Sequence, residues 1–505
     1  MSSSAAKKSI KSILIAFSSQ IIIMGLGFIL PRMLIKGFGS EVNGFFSTST
    51  QLYSYLEILR AGVGMAAIQA LYKPITENNV DDVSRIISTS KVYFKKAGYI
   101  YLSLSGLITV GFVIAGNNSL NGFEIILIVA MQGISGWISF SHINWFIDLL
   151  RAEGKNYIFV SIQTVGTICI KFAEIALIYF THNPVLVKSA SLVVILMELF
   201  IFNSYRKKYY SHYDFDKPGD VSLLRNRRSY LIFHISSLIC TNTDVVILSM
   251  FCGYETSSVY AVYYMVIAGV NALINTVYSS TAFLLGHAYQ SGIEYFKKVH
   301  DMYYLVYTTL TTALFSICYI LLLPFIKLYT AGIQDVNYIY KYLPLLFCLI
   351  QIITCGKNVG DMTVNVGGLA KNVVWRSILE ATINIVVSIA LVQFIGIYGV
   401  LIGTITATFY RLMDVIIFTN KKVLMRKPFK TIKVFLVNVM FFIGVVLLND
   451  NINVKINSYL DFIGYALIIS PVIIIICFGM MLLLNPSEGK LIINTLNKKI
   501  NNRRK

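Results

Sequence analysis

Five Lys and Arg side chains stand inside apolar stretches, and each has an acid three or four residues away. Glu57 and Arg60, Lys171 and Glu174, and Arg411 and Asp414 are three apart; Lys357 and Asp361, and Arg376 and Glu380, are four apart. Such spacings place both members on one helix face. A charge at the centre of a bilayer costs roughly 2.5–3.5 kcal/mol on insertion scales, so it faces a partner or a wet cavity. Together Arg60, Lys171, Lys357, Arg376 and Arg411 describe a basic site suited to an anion, with diphosphate the obvious class. Glu57, Glu174 and Asp361 are the matching charge partners. The alternative for all five pairs is an intrahelical ion pair that eases insertion, with Arg376 snorkelling toward the inner surface.

Asp244 differs, because Cys240, Thr241, Ile247 and Leu248 hold the positions one turn away. Thr241, Asn242 and Thr243 offer oxygens within a turn. A carboxylate in that setting is expected to take a proton or to collect Na⁺, which makes Asp244 a candidate ion-coupling residue. Its alternative is a pairing with a cation on another helix, Arg60 or Lys171. Glu198 is placed within reach of the inner surface and outside the site.

Other chemistries find little support. The seven cysteines, Cys169, Cys240, Cys252, Cys318, Cys348, Cys355 and Cys477, all fall in apolar segments and form no CxxC. Disulfides and structural zinc are not expected. No loop gathers a His cluster or a Ser/His/Asp set, so no catalytic residue, metal or resident cofactor is expected. Asp214-Phe215-Asp216 could hold the metal of a nucleotide-sugar, but the surrounding stretch is too short to build a pocket, and two solvated acids are the simpler reading.

The elements that position these charges are helices in lipid. Of 505 residues, 56% are hydrophobic and only 13% charged, with a mean hydropathy of +0.69; soluble chains carry about 25% charged residues. Continuous apolar runs of about 20 residues span a bilayer as helices. The chain therefore reads as an all-α integral membrane protein. Its net charge of +19 orients helices rather than binding nucleic acid.

Fourteen helices are expected at about 12–35, 43–72, 93–115, 122–147, 157–180, 184–205, 230–252, 256–287, 302–327, 338–366, 373–395, 397–419, 432–449 and 460–484. With both termini in the cytoplasm, 32 of the 43 Lys and Arg residues fall on the inner side, six outside and five within the helices. That alternation follows the positive-inside rule. Lys7, Lys8 and Lys11 precede the first apolar run, which is too long for a signal peptide.

The chain also repeats itself. Phe38-Gly39-Ser40-Glu41 matches Cys252-Gly253-Tyr254-Glu255 at an offset of 214. Ala70-Leu71-Tyr72 matches His287-Ala288-Tyr289, and Lys155-Asn156 matches Lys371-Asn372, at offsets of 217 and 216. Six helices per repeat give both halves one topology, as in two-lobed transporters. The expected organisation is a first lobe at 1–205, a basic cytoplasmic linker at 206–229, a second lobe at 230–420, a basic cytoplasmic loop at 421–431, two further helices within 432–484 and a basic tail at 485–505.

Residues 38–75, FGSEVNGFFSTSTQLYSYLEILRAGVGMAAIQALYKPI, resemble the opening of the bacterial polysaccharide flippases. These are the Wzx-like members of the multidrug/oligosaccharidyl-lipid/polysaccharide (MOP) exporter superfamily, which has a MATE-like fold. TDVVILSMFCGYETSSVYAVYYMV, residues 243–266, resembles the same family. The resemblance implies two pseudo-symmetric six-helix lobes about a central cavity, with two C-terminal helices that make a groove for a lipid tail. It also implies export of an undecaprenyl-diphosphate-linked oligosaccharide across the bacterial cytoplasmic membrane, among membrane lipids and other polysaccharide-assembly proteins. Transport would run by alternating access and draw on a proton or Na⁺ gradient.

A lipid II-type flippase and a cation-coupled multidrug exporter share that fold and are the nearest alternatives. The multidrug exporter would want an acidic or apolar cavity. A membrane glycosyltransferase or polysaccharide polymerase would want a large catalytic loop, and a scaffold would have no use for embedded charge.

Overall fold

The computed structural model describes residues 22–489 except Met24, 117–118, 219–226, Gly368, 450–455 and 487–488. Lys7, Lys8, Lys11, Arg225, Lys455 and the tail from 490 lie outside the described residues. All the regular structure described is helical. In chain order it comprises α1 (25–38), α2 (Ser40–Leu56), α3 (Ile58–Thr76), α4 (Val80–Ala115), α5 (Gly122–Ile138), a π turn (Ser139–Ile143), α6 (Asn144–Ala152), α7 (Asn156–Thr181) and α8 (Pro184–Tyr209). It continues with α9 (Arg227–Gln290), α10 (Ile293–Tyr329), α11 (Leu343–Val366), a 3₁₀ turn (Ala370–Val373), α12 (Val374–Ile395), α13 (Ile397–Lys422), α14 (Phe429–Asn449) and α15 (Tyr459–Leu484). Eleven helices among the described residues are long and apolar enough to cross a membrane. The chain is a multi-pass membrane protein.

The expected segments fall on helices where the structure describes them: residues 12–21 of the first lie outside the described residues, the seventh and eighth both fall in α9, on either side of Gly253, and the other differences have local causes. The second segment is two helices, α2 and α3, separated at Glu57, whose amide donates to Ser54 and Tyr55 carbonyls. The fourth is interrupted by the π turn before α6. α4 starts thirteen residues before the expected helix. Asn79 caps it by accepting from the Asp82 amide at 3.1 Å, and Asp81 and Asp82 complement the helix dipole in the first turn. The added stretch is amphipathic, with Val83, Ile86 and Ile87 buried; hydropathy alone cannot see a helix that leaves the lipid. α10 is extended in the same way, from Ile293, around the buried Phe296 and His300.

The repeat is visible in the backbone. Gly39 (φ 87°, ψ 166°) separates α1 from α2, and Gly253 (φ 85°, ψ 170°) breaks α9 in the same conformation. Only glycine adopts that region without strain, so the matched glycines of the two quartets make one type of turn.

The chain forms two compact units. Among the described residues, the first comprises those up to 249 together with 253–258, and the second comprises 250–252 and those from 259 onward. In the first, α4 packs on α3, α5 and the π turn, and α8 on α5 and α7, around a core that includes Phe45, Phe94, Phe140, Trp145 and Phe146. Residues 253–258 join this unit closely: Asn43 Nδ2 donates to Ser258 Oγ at 2.8 Å, and a Cβ on Gly44 would overlap the Tyr254 carbonyl. In the second, α13 lies between α11 and α12, and α10 carries α11, α14 and α15.

Candidate functional site

Four of the residues expected at the site come together in the second unit, on α11, α12 and α13. Glycines set the helix spacing. Gly356 and Gly360 of α11 face Leu412 and Val415 of α13, while Gly399 and Gly403 of α13 face the backbone of α12 at Leu391 and Ser388. Asn384 Nδ2 donates to Thr404 Oγ1 at 2.9 Å across the same contact. With the backbones this close, the neighbouring helix offers a nearer carboxylate than the next turn does.

Lys357 therefore pairs with Glu380 at 2.8 Å and Arg376 with Asp414 at 2.7 Å. Arg411 reaches Asp361 at 2.8 Å, Asp414 at 2.7 Å and Glu380 at 3.8 Å. Of the three intrahelical pairings the spacing suggests here, only Arg411–Asp414 is made. Lys357–Asp361 and Arg376–Glu380 are replaced by contacts between helices. Three cations meet three carboxylates, so the surplus of positive charge expected of the embedded residues is absent from this network. Arg411 is its buried centre, at 2% exposure. Arg376 and Asp361, at 33% and 30%, form its open side, and the Arg376 guanidinium also lies 4.6 Å from the centre of the Phe418 ring.

The first unit holds Glu57, Arg60, Lys171, Glu174 and Asp244. Glu57 sits at the α2–α3 break, and Arg60 follows in the first turn of α3. Arg60 Nη2 lies 3.8 Å from Oδ1 of Asp148, on α6. Glu174 is buried on α7, where the charges acting on it are Lys188 of α8 and, more weakly, Lys171. Lys188 also places its Nζ 4.9 Å from the centre of the Phe46 ring. No contact among the described residues joins the Arg60 group to the Lys171 group. Asp244 is buried on α9 beside Thr243, whose Oγ1 is hydrogen-bonded to Tyr55 Oη at 2.8 Å.

Asp148 and Lys188 escape the sequence reading. Asp148 follows Ile147, where the apolar run stops, and Arg151, Glu153 and Lys155 make it look like part of a loop. The available signal is the periodicity of NWFIDLLRA, in which Trp145, Phe146 and Leu149 are all buried. Lys188 stands in the first turns of the helix expected from 184, where it counts among the outer-side charges. Asn183 caps α8, accepting from the Val185 and Leu186 amides, and Pro184 opens the helix as expected. Glu198, read as near the inner surface, stands near the middle of α8, and a Cβ on Gly166 of α7 would overlap its carboxylate.

Asp214 and Asp216 serve the linker itself. Asp214 Oδ1 accepts from the Asp216 amide at 3.0 Å, and Asp216 pairs with Lys91 at 2.6 Å. The hydrogen bond from Lys91 holds the Asp216 carboxyl below the usual carboxylate range. Lys217 pairs with Asp81, and Phe215 packs on Trp145 with ring centres 5.3 Å apart. Residues 214–217 thus strap the linker across α4 and α6. On the loop between α13 and α14, Arg426 grips Asp301 of α10 through two contacts of 2.7 and 2.5 Å, and Lys430, in the first turn of α14, reaches the same carboxylate at 2.8 Å.

No protein-family model matches the sequence, and no curated protein matches it. Solved structures do. An inward-facing multidrug-resistance MATE transporter of the MOP superfamily aligns with a TM-score of 0.64 at 14% identity, over 86% of this chain and 98% of that one. The lipid II flippase MurJ, in an inward closed conformation, aligns with a TM-score of 0.64 at 14% identity, over 93% of this chain and 99% of that one. The MATE multidrug transporter DinF-BH aligns with a TM-score of 0.62 at 13% identity, over 85% and 98%. These neighbours are transporters and a flippase rather than enzymes. The fold of this chain is that of the MATE-like transporters of the MOP superfamily.

Proposed function

We propose that the chain is a flippase that exports a polyprenyl-diphosphate-linked oligosaccharide across the bacterial cytoplasmic membrane by alternating access. The observation that carries this reading is the extent of the likeness to the lipid II flippase: 93% of this chain, against 86% and 85% for the two MATE transporters. α14 and α15 are the last two helices described. Both pack on α10 and keep large apolar side chains such as Met440, Leu447, Leu467 and Ile475 on the outside, which suits contact with a lipid chain.

Arg60 and Lys171, both on the first unit, are the headgroup contacts in this reading, while Lys357, Arg376 and Arg411 are engaged by the carboxylates of the second unit. Asp244 binds the coupling H⁺ or Na⁺, and Glu57, Glu174 and Asp361 balance the cations. In proteoliposomes loaded with a fluorescent undecaprenyl-diphosphate oligosaccharide, Arg60→Ala and Lys171→Ala should lose flipping while still inserting. Arg60→Lys should keep part of it, because charge survives and only the bidentate geometry is lost. Normal flipping by both alanine variants would refute the headgroup assignment. Asp244→Asn should bind substrate yet no longer respond to a pH or Na⁺ gradient; a response identical to wild type removes Asp244 from coupling.

Both termini and the 206–229 linker face the cytoplasm in this reading. Cysteines at Ser119 and Gly332 should react with an impermeant maleimide added outside, and one at Gly219, which lies outside the described residues, should not. Labelling of Gly219 from outside would overturn the orientation.

A second reading, export of cationic drugs, draws on the equal TM-scores of the MATE transporter and the flippase and on the charge balance of the Arg411 network. Gradient-driven extrusion of a cationic dye, without flipping of the lipid-linked sugar, would select it.

A further inference from the structure

Asp148 is poorly served by its surroundings. Its side chain is 1% exposed, and among the described residues neither carboxylate oxygen receives a hydrogen bond. Arg60 Nη2, 3.8 Å away, likewise donates none. That separation is an ion pair without a hydrogen bond. Gly64, one turn beyond Arg60 on α3, backs the carboxylate so closely that a Cβ there would come 3.0 Å from Oδ2. The charges that face Asp148 are Arg60 from α3 and Arg151 from α6 itself. α4, the π turn and α7 also pack on α6; Lys91 of α4 lies over the Trp145 ring, and among the described residues no charge from these elements acts on the Asp148 carboxylate. The other acid acting with Arg60 is Glu57. A carboxylate that has given up water for one loose contact recovers little of its desolvation cost, and a proton relieves it.

We propose that Asp148 is a proton-binding site that controls Arg60: protonation frees the guanidinium for an anionic phosphate group, so proton and anion bind together. This rests on the reading of Arg60 as a headgroup contact. With Asp148 ionised, the pair is neutral and an incoming phosphate competes with the carboxylate. One proton bound at Asp148 turns the pair into a net single positive charge, and the freed fork of Arg60 meets phosphate oxygens. Linkage makes the effect reciprocal, so the bound anion favours the protonated carboxyl by the same factor.

The test uses the full chain in nanodiscs, with inorganic diphosphate as the probe. Calorimetry in two buffers of different ionisation enthalpy counts the protons taken up on binding. Wild type should take up more protons than Asp148→Asn. At mildly alkaline pH, Asp148→Asn should bind diphosphate about tenfold tighter than wild type, within the usual range of coupling between sites. Equal affinity and equal proton uptake in the two proteins would overturn the proposal.

If neither protein binds diphosphate, the headgroup reading of Arg60 fails, and infrared spectroscopy of the ligand-free protein then decides the proton site. A protonated-carboxyl band that disappears in Asp148→Asn, and that persists to higher pH in Arg60→Gln, supports it. A spectrum of wild type unchanged by Asp148→Asn across the titration sinks it.

Discussion

Replacing Arg411 by alanine should destabilise the second unit by about 3 kcal/mol. Removing one partner from a buried ion pair costs roughly 3–5 kcal/mol, because the other charge stays behind in a low dielectric. Arg411 touches three carboxylates, but they do not suffer equally. Glu380 keeps Lys357 at 2.8 Å and Asp414 keeps Arg376 at 2.7 Å. Asp361 has no other ion pair among the described residues, yet it is 30% exposed, so water reaches it. These retained contacts place the cost at the low end of the range. Arg376→Ala is the control. Arg376 is 33% exposed and its partner Asp414 keeps Arg411, so its loss should stay below about 1 kcal/mol. Unfolding in mixed detergent micelles can be followed by maleimide reaction at the buried Cys348 and Cys355. Equal losses for the two variants, or an Arg411→Ala loss under about 1 kcal/mol, would refute the assignment of Arg411 as the centre of the network.

Three more outcomes follow from the packing and the linker. Gly403→Ala drives a Cβ into the Ser388 backbone and should cost about 1–3 kcal/mol in the same unfolding assay, whereas Gly444→Ala, which meets nothing, should cost little. Gly39→Ala and Gly253→Ala each force an alanine to a φ near 85° with ψ near 170°, and each should lose about 1–3 kcal/mol; a large difference between them would break the equivalence of the two turns. Because Lys91 lowers the Asp216 carboxyl, the strap contact is fully present above the unfolded carboxylate value of about 4 and fades as pH falls toward the lower native value. Hydrogen-exchange protection at residues 213–217 should follow that course in wild type and be low throughout in Lys91→Ala.

Lipid made much of this fold legible. A bilayer demands long apolar runs, so the helices announced themselves, and the glycines at 39 and 253 marked the repeat because their backbone conformation allows little else. Helix extensions into water, at 80–92 and 293–301, were hidden because their apolar faces are narrow. The charged site was legible in its members and not in its pairings. Spacing along one helix says which side chains share a face; it says nothing about how near the next helix lies. Gly356, Gly360, Gly399 and Gly403 decide that distance, and they moved Lys357 and Arg376 onto carboxylates of neighbouring helices. Asp148 was lost because a charge at the end of an apolar run looks like the start of a loop, although α6 carries it into the core.

The two units treat embedded charge in opposite ways, and this separates scaffold from switch. In the second unit each cation makes at least one contact of 2.8 Å or less with a carboxylate. A network so satisfied fixes one arrangement and resists rearrangement. In the first unit Arg60 and Asp148 face each other at 3.8 Å with no hydrogen bond. A loose buried pair carries its desolvation cost in every state that keeps it, so any state that relieves it gains, and a proton or ligand that binds such a state shifts the population. Substitutions should therefore divide by unit. Those at Arg411 and Glu380 should lower stability first and lower transport only with it, while Arg60→Gln and Asp148→Asn should alter transport at nearly unchanged stability. Measuring unfolding and flipping on the same four variants tests this division, and a strict proportionality between the two quantities across all four would remove it.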